Sequence, residues 1–187
     1  MSIKVVIADD HAVIRDGLRF LLEAAGDIKV VGTADNGREA VRQVQALEPD
    51  VVVMDIAMTD LNGIEATAQL LEAHSSTRVL ILSMHHTPEH IFQAFRSGAK
   101  GYLLKESAGQ EVVIAVRKLH AGHRYLSESI EESVIDDYMR KRQDTFSASP
   151  VEKLSSRERE ILQLVVEGKS SVEISKIIFF IQILLME

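Results

Sequence analysis

The first two thirds of the chain alternate between short apolar runs and stretches with helical periodicity. The apolar runs begin near Ile3, Ile28, Val51, Val79 and Gly101. The helical patterns between and after them cover residues 12–24, 37–47, 64–74, 88–96 and 110–120. Strands that alternate with helices are typical of a parallel sheet covered by helices on both faces. We therefore expect an α/β fold with a five-stranded, doubly wound parallel sheet.

The pattern changes after Gly122. Residues 128–142 have the pattern of a charged, exposed helix, and residues 143–150 are rich in Ser and Thr and break the periodicity, as a linker does. A capped helix is expected from about Leu154, with Ser155 or Ser156 as its cap, and a second short helix over residues 170–178. These patterns predict three parts: a first domain over residues 1–122, a linker with a charged helix over 123–150, and a small all-α segment over 151–187.

Composition narrows the class of protein. The chain has 187 residues, 46% of them hydrophobic, and a net charge of -7, so it has the apolar residues for a core and no overall basic character. It contains no cysteine, which excludes disulfides, thiolate catalysis and cysteine-ligated zinc. The N-terminus has no signal-peptide pattern, and no apolar run reaches the roughly 18 residues expected of a membrane span. We expect a cytoplasmic protein without membrane contact.

Polar residues whose side chains can react or bind ligands follow the apolar runs. Asp9 and Asp10 follow the first run, Asp55 ends the third, Ser83 ends the fourth, and Lys105 follows the fifth. In open α/β sheets, ligands bind at the carboxyl ends of the strands. If these strands are parallel neighbours, three acids, a hydroxyl and an amine meet at one place.

Such a cluster has a chemical meaning. Two carboxylates about 4 Å apart repel by about 1 kcal/mol in water and about 4 kcal/mol near a protein surface, so a cation is needed. Oxygen ligands without a rigid cage suit Mg²⁺, and Lys105 and Ser83 are suited to hold phosphate oxygens. Asp55 is then the nucleophile for phosphoryl transfer. Each of these residues taken alone is also explained as a turn or helix-cap residue; their joint placement favours the site.

The histidines near this edge have simpler interpretations. His85 and His86 are adjacent on a loop and have no third ligand in view, so we interpret them as loop residues. His11 follows the acid pair and is interpreted as a helix-start residue rather than a ligand.

Five stretches together resemble a two-component response regulator of the NarL/FixJ type. They are residues 5–11 (VVIADDH), 53–58 (VMDIAM), 62–66 (NGIEA), 80–83 (LILS) and 101–106 (GYLLKE). The resemblance covers about the first 120 residues and implies a flavodoxin- or CheY-like receiver domain. In place of the proline usual after Met58, this chain has Thr59, which removes no chemical group from the site.

The resemblance implies a role for each residue of the site. Asp55 would accept a phosphoryl group from the phosphohistidine of a sensor histidine kinase. Mg²⁺ would be held by Asp9, Asp10 and Asp55 with the backbone carbonyl of Ala57. Ser83 and Lys105 would bind the phosphoryl oxygens, and Tyr102 would be the aromatic residue that reports the phosphorylation state. Such a regulator is a phosphoacceptor that promotes its own phosphorylation and dephosphorylation rather than an enzyme that turns over a separate substrate. A homodimer and promoter DNA are the partners expected for the family.

The C-terminal segment resembles the beginning of a LuxR-type helix-turn-helix domain. The resemblance is carried by residues 154–170 and 172–178, after which the family pattern has a recognition helix with polar and basic residues. Residues 179–186 contain one amide and no cation, and residues 151–187 contain five Lys/Arg against six Asp/Glu. Because phosphate binding needs a basic surface, we expect a truncated DNA-binding part with impaired DNA binding, as from a frameshift or premature stop.

Three functions are weighed against each other. The first is a phosphorylation-controlled regulator of transcription. The second is a phosphoryl-accepting module without DNA output, which acts as a sink or through dimer contacts. The third is a phosphatase of the haloacid dehalogenase type, which needs a second acid two residues after the nucleophile; Ala57 at that position argues against it.

Overall fold

The computed structural model describes residues 2–73, 76–128, 130, 134–135, 139, 156–166, 168–170 and 173–174. The chain divides into two compact units, Met1–Asp136 and Asp137–Glu187, and each is described by itself.

The first unit is a sheet with helices in regular alternation. Its strands are β1 (Ile3–Ala8), β2 (Ile28–Ala34), β3 (Val51–Asp55), β4 (Arg78–Ser83), β5 (Gly101–Leu104) and β6 (Tyr125–Leu126). Its helices are α1 (Ala12–Ala24), α2 (Gly37–Leu47), α3 (Gly63–Ala73), α4 (Pro88–Arg96) and α5 (Ala108–His120), and a single 3₁₀ turn covers Lys105–Ser107. The predicted α/β fold is confirmed. All five predicted strands are present, and the two-residue strand β6, which the apolar pattern is too short to reveal, adds a sixth.

The strand order is β2-β1-β3-β4-β5-β6, and every neighbouring pair is parallel. The chain runs from β1 outward to β2 and then returns to the other side of β1 with β3, so the direction of winding reverses between β1 and β3. Crevices that bind ligands in open α/β sheets lie at such a reversal, outside the carboxyl ends of the strands. The topology therefore directs attention to the ends of β1 and β3.

Two apolar layers cover the two faces of the sheet, because alternate residues of a strand point to opposite sides. On one face Val52 and Ile81 belong to a buried cluster with residues of α2, α3 and α4. On the other face Val53 and Leu80 belong to a cluster with residues of α1 and α5. The strands read as continuous apolar runs because both of their faces are buried.

Local signals fix the helices that follow the strands. Asn36 caps α2 by accepting a 2.8 Å hydrogen bond from the Glu39 amide, and Asn62 Oδ1 accepts a 2.9 Å bond from the Glu65 amide at the start of α3. Such side-chain caps satisfy amides that lack a partner in the first turn of a helix. They fix where α2 and α3 begin.

Helical positions follow β6. Residues 128, 130, 134 and 135 of the first unit and residue 139 of the second are helical, in agreement with the predicted charged helix, and the other residues of that prediction lie outside the described residues. Ile130 is fully buried, and Val134 packs against the cluster that contains Tyr102. The predicted linker over residues 143–150 also lies outside the described residues.

The second unit contains α6 (Ser156–Val166). Gly168 ends it with a φ of 78°, and the amides of Gly168 and Lys169 donate to carbonyls of the last turn at 3.0 Å each, a common helix C-terminus. At Ser170 the amide and hydroxyl donate to Glu173 Oε2 at 2.9 and 2.6 Å, which is the signature of a new helix start. Residues 175–187, on which the predicted truncation depends, lie outside the described residues.

Among the helices that the structure describes, none combines the length and apolarity that a membrane crossing requires.

Candidate functional site

The predicted site residues lie at one edge of the sheet. Asp9 follows β1, Asp55 is the last residue of β3, Ser83 is the last residue of β4, and Lys105 follows β5. These four strands are consecutive in the sheet, and their carboxyl ends point the same way. The backbone alone therefore gathers the side chains.

The amine of Lys105 links two buried carboxylates. Its Nζ lies 2.8 Å from Asp9 Oδ2 and 2.9 Å from Asp55 Oδ2. The side chains of Asp9 and Asp55 are 0% and 2% exposed, and that of Lys105 is 11% exposed. Because the three charges are shielded from water, their interaction is much stronger than that of a surface ion pair.

Asp10 and His11 complete the cluster on its outer side. His11 Nδ1 lies 2.6 Å from Asp10 Oδ1 and 3.2 Å from Asp9 Oδ1, and the His11 amide donates a 2.8 Å bond to Asp9 Oδ1. Arg15 of α1 donates a 2.6 Å bond to the Asp9 backbone carbonyl. His11 does stand at the start of α1, as expected, but its side chain makes no cap bond and turns to the acids instead.

Negative charge exceeds positive charge in this cluster, with three carboxylates against one amine. Asp9 Oδ2, Asp10 Oδ1 and Asp55 Oδ2 are shielded from solvent and, within the described part of the chain, accept no hydrogen bond of ordinary geometry. Their close contacts are those with the amine of Lys105 and the imidazole of His11. Ligand atoms of Asp9, Asp10, His11 and Asp55 all lie within 4.8 Å of one another. Convergent carboxylates with unused lone pairs are the donor set for a divalent cation.

The environment raises the pKa of Asp55 and of Lys105, which disfavours the charged form of the acid and favours the charged form of the amine. Burial raises the pKa of Asp55, and the neighbouring Asp9 carboxylate adds to the increase, while Lys105 and the Ala57 amide partly oppose it. For Lys105, burial lowers the pKa, but the close charged contacts with Asp9 and Asp55 outweigh it, and the net pKa is raised. Lys105 is therefore held in its charged form beside an acid whose negative charge is destabilised.

Ser83 and Tyr102 form a second small network next to the acids. Tyr102 is fully buried, and its hydroxyl donates a 2.7 Å bond to the His85 carbonyl. The His85 amide in turn donates a 2.9 Å bond to Ser83 Oγ. Burial raises the pKa of the Tyr102 phenol, and hydrogen bonding to the Ser83 side chain lowers it in part. Both side chains are thus hydrogen-bonded to the backbone of His85 in the loop after β4.

The loop after Asp55 is held by backbone bonds. The Gly63 amide donates to the Ile56 carbonyl at 3.0 Å, and the Leu61 amide donates to the Thr59 carbonyl at 2.7 Å. A Cβ on Gly63 would lie 1.9 Å from the Asp55 carbonyl oxygen, so only glycine permits this approach. The loop that carries Ala57 is therefore anchored at Gly63 although Thr59 replaces the usual proline.

The histidines of the loop after β4 interact with each other and with a neighbouring hydroxyl. The rings of His85 and His90 stack with centroids 4.5 Å apart, and His90 Nδ1 lies 2.6 Å from Thr87 Oγ1. His85 and His86 lie in the loop after β4, as interpreted from the sequence, and His90 lies in the first turn of α4.

Asp9, Asp10, Asp55 and Lys105 are brought into one cluster, and Ser83 and Tyr102 into the adjoining network. The contact of His11 with the acids is the feature that sequence reasoning missed. Its adjacency to Asp9 and Asp10 was the available signal, but a helix-start position does not reveal where a side chain points.

The fold and this acidic edge define a domain of the receiver type. The family model described as "Response regulator receiver domain" matches residues 5–117, and the model of "Bacterial regulatory proteins, luxR family" matches residues 152–180. The first match covers more than half of the chain. The chain belongs to the response regulator family.

Similar proteins agree with this assignment. The "Oxygen regulatory protein NreC" of Staphylococcus aureus is 37% identical over 179 residues, which cover 94% of this chain and 82% of that protein. A LuxR-family two-component response regulator from Aurantimonas sp. SI85-9A1 is 33% identical with a TM-score of 0.72, covering 74% of this chain and 99% of that structure. The receiver domain of a putative NarL from Mycobacterium tuberculosis is 36% identical with a TM-score of 0.63, covering 65% and 98%. The resemblance to NarL/FixJ-type regulators is confirmed, and a receiver joined to a LuxR-type segment is the arrangement of a transcription regulator.

Proposed function

We propose that this protein accepts a phosphoryl group on Asp55 from the phosphohistidine of a sensor histidine kinase in the cytoplasm. The single observation that supports this most strongly is that the amine of Lys105 lies between the buried carboxylates of Asp55 and Asp9, within 2.9 Å of each. One oxygen of Asp55 attacks phosphorus, the bond between phosphorus and the kinase imidazole breaks, and the imidazole leaves with the bonding electrons. The product is an aspartyl phosphate.

We propose Mg²⁺ as the cofactor. The residues present fit it: three carboxylates converge beside the Lys105 amine and the Arg15 guanidinium, so negative charge is in excess, and ligand atoms of the three acids lie within 4.8 Å of one another. Asp9, Asp10 and Asp55 would hold the ion together with the backbone carbonyl of Ala57. When bound, the ion neutralises negative charge that develops on the transferring phosphoryl group.

The protein's own groups supply the remaining interactions. The Lys105 amine, already 2.9 Å from Asp55 Oδ2, binds a phosphoryl oxygen as a compact positive charge. The Ser83 hydroxyl donates a charge-assisted hydrogen bond to another phosphoryl oxygen. The site promotes both gain and loss of the phosphoryl group on Asp55, without turnover of a separate substrate.

Phosphorylation alters the equilibrium of the loop after β4. Ser83 Oγ now accepts from the His85 amide, and the His85 carbonyl accepts from Tyr102. A phosphoryl group that engages Ser83 therefore acts on the hydrogen bond of Tyr102 through the same loop. Tyr102 is already in the buried position here, so the phosphorylated state would stabilise this arrangement over one with Tyr102 turned outward.

Control of transcription is the output of the switch. The partners would be the kinase, a second copy of this chain and promoter DNA. The extent of DNA binding by this chain stays a prediction, as does the alternative of a phosphoryl sink. Fluorescence anisotropy on the phosphorylated protein separates them: salt-sensitive DNA binding supports the regulator, and its absence supports the sink.

Intact-mass measurement after treatment with acetyl phosphate tests the proposal. We expect one added phosphoryl group on the wild type with Mg²⁺, little without it, and none on Asp55→Asn. Asp60→Asn is the matched control: Asp60 is exposed in the next loop and has a φ of 63°, which asparagine tolerates, so phosphorylation should persist. Undiminished Mg²⁺-dependent modification of Asp55→Asn would reject Asp55 as the acceptor.

A further inference from the structure

His11 lies where a helix cap would be, but its imidazole contacts two of the three acids. We propose that His11 supplies a nitrogen ligand to the divalent-cation site. Because of this nitrogen, the site binds transition metals such as Zn²⁺ more tightly than a site with oxygen ligands alone would. This proposal rests on the cation site proposed above, and it adds a ligand and a selectivity to it.

The separations around His11 fit shared coordination of one ion. Nitrogen and oxygen ligands lie about 2.0–2.2 Å from Zn²⁺, so neighbouring ligands of one ion lie about 3.0–3.5 Å apart. His11 Nδ1 is 3.2 Å from Asp9 Oδ1, a hydrogen-bond distance, and an ion bound by both atoms would displace the proton on Nδ1 to solvent. The distance from His11 Nδ1 to Asp10 Oδ1 is 2.6 Å and has to lengthen slightly before both atoms can bind one ion. The Asp10 side chain is 28% exposed and is therefore able to adjust.

Two observations indicate that His11 serves a ligand rather than the helix. Its side chain makes no cap hydrogen bond at the start of α1, so the fold of α1 does not use it. The two carboxylates it contacts belong, with Asp55, to a cluster in which the amine of Lys105 contacts two of the three acids and ligand atoms of all four residues Asp9, Asp10, His11 and Asp55 lie within 4.8 Å of one another. An imidazole and convergent carboxylates with unused lone pairs form a mixed nitrogen and oxygen donor set.

A nitrogen ligand strengthens the binding of transition metals more than the binding of Mg²⁺. Imidazole suits Zn²⁺, Ni²⁺, Cu²⁺ and Fe²⁺, whereas Mg²⁺ prefers carboxylates, carbonyls and water and keeps several waters. Removal of the imidazole should therefore weaken Zn²⁺ binding and leave Mg²⁺ binding almost unchanged. A residue that merely oriented the carboxylates would affect both ions alike.

The experiment titrates the full chain with Zn²⁺ alone and with Mg²⁺ alone by calorimetry. The variants are the wild type, His11→Ala, Asp55→Asn and the matched control His120→Ala, which removes an exposed imidazole from the last turn of α5, away from the acidic edge. In parallel, ¹⁵N spectra of the imidazoles follow the His11 Nδ1 resonance, assigned by its loss in His11→Ala, during each titration.

We expect His11→Ala to weaken Zn²⁺ binding about tenfold or more and to change the Mg²⁺ Kd by less than about threefold. The control should bind both ions like the wild type, and the His11 Nδ1 resonance should shift strongly with Zn²⁺ but not with Mg²⁺. If His11→Ala binds Zn²⁺ like the wild type, or if its Zn²⁺ and Mg²⁺ affinities fall equally, the ligand role of His11 is overturned while the cation site stands. If neither ion binds the wild type, or if binding is unchanged in Asp55→Asn, the cation site itself is rejected and the histidine proposal falls with it.

Discussion

The hydroxyl of Tyr102 donates a 2.7 Å hydrogen bond to the backbone carbonyl of His85 and so ties β5 to the loop that follows β4. The same loop residue donates its amide to Ser83 Oγ, at the end of the strand that borders the acidic cluster. A change at Ser83 is thereby connected to a fully buried aromatic residue through two hydrogen bonds.

Tyr102→Phe should keep the buried ring but lose this bond. We expect a loss of about 1 kcal/mol in the free energy of unfolding, because the His85 carbonyl loses a protein donor. Amide exchange at His85 should become faster. Urea unfolding and hydrogen exchange measure the two effects, and unchanged exchange at His85 would show that the hydroxyl does not hold the loop.

Gly63→Ala should disturb the end of β3, where Asp55 lies. A Cβ at this position would lie 1.9 Å from the Asp55 carbonyl oxygen, and relief requires movement of backbone rather than of a flexible side chain. We expect a loss of about 2 kcal/mol or more in stability and slower phosphorylation of Asp55. Thermal unfolding and the acetyl phosphate reaction are the measurements.

Gly17→Ala is the matched control for that change. Gly17 lies inside α1, and a Cβ there has nothing within 4 Å. Because alanine is a better helix former than glycine, stability should rise by about 0.5–1 kcal/mol. Equal destabilisation by the two substitutions would contradict the steric argument.

Glu111 of α5 anchors the chain as it leaves β6. Its Oε2 accepts from Tyr125 Oη at 2.6 Å and from Ser127 Oγ at 2.8 Å, and Ser127 is fully buried. The Ser127 amide also donates to the Tyr102 carbonyl at 3.0 Å. This hydrogen bond connects Tyr102 to Ser127, the residue before the helical position 128.

Ser127→Ala should cost about 1.5–3 kcal/mol, the usual range for a hydrogen bond to a charged group. The measurement is a double-mutant cycle with Glu111→Gln by urea denaturation. The two changes should be less than additive, because each removes the same interaction. Strict additivity would show that Ser127 and Glu111 act independently.

The ion pair between Asp27 and Arg117 predicts a pH dependence. Arg117 donates to both Asp27 oxygens, at 2.9 and 2.7 Å, and this hydrogen bonding lowers the pKa of Asp27 below its ordinary 3.8. A carboxyl with a lowered folded-state pKa contributes stability above its unfolded pKa and loses it as the pH falls through the folded value.

Asp27→Asn should therefore reduce stability by a constant, small amount above about pH 5, and the difference from the wild type should vanish at lower pH. Both side chains are about half exposed, so salt should also reduce the difference. Unfolding curves of both proteins from acidic to neutral pH, at low and high salt, provide the measurement. A difference that grows on acidification would contradict the sign.

Much of this architecture was predictable because its signals are local. The bounds of α1, α2 and α4 agree with the helical patterns, since amphipathic periodicity and the residues at their ends act within one turn. Asp55 and Lys105 were placed correctly at strand ends, because parallel strands in a wound sheet share one polar edge. The strand β6 was missed because two residues carry too little pattern.

The interactions that were not predictable join residues distant in sequence or depend on side-chain direction. Glu111 meets Ser127 only because α5 packs beside the end of the sheet, and nothing in their spacing of 16 residues indicates this. His11 does lie at a helix start, as expected, but that position does not indicate that its side chain contacts Asp9 and Asp10.

The sequence by itself determined the kind of fold, the order of its elements and the residue types available at the carboxyl edge, because hydrophobic periodicity and turn chemistry are properties of short segments. Only the tertiary structure decided that Lys105 bridges Asp9 and Asp55, that the Asp55 carbonyl packs on Gly63, and that His11 faces the acids. The physical reason is that electrostatic and steric contacts act through distances of a few ångströms, which are established only when the strands are aligned in the sheet.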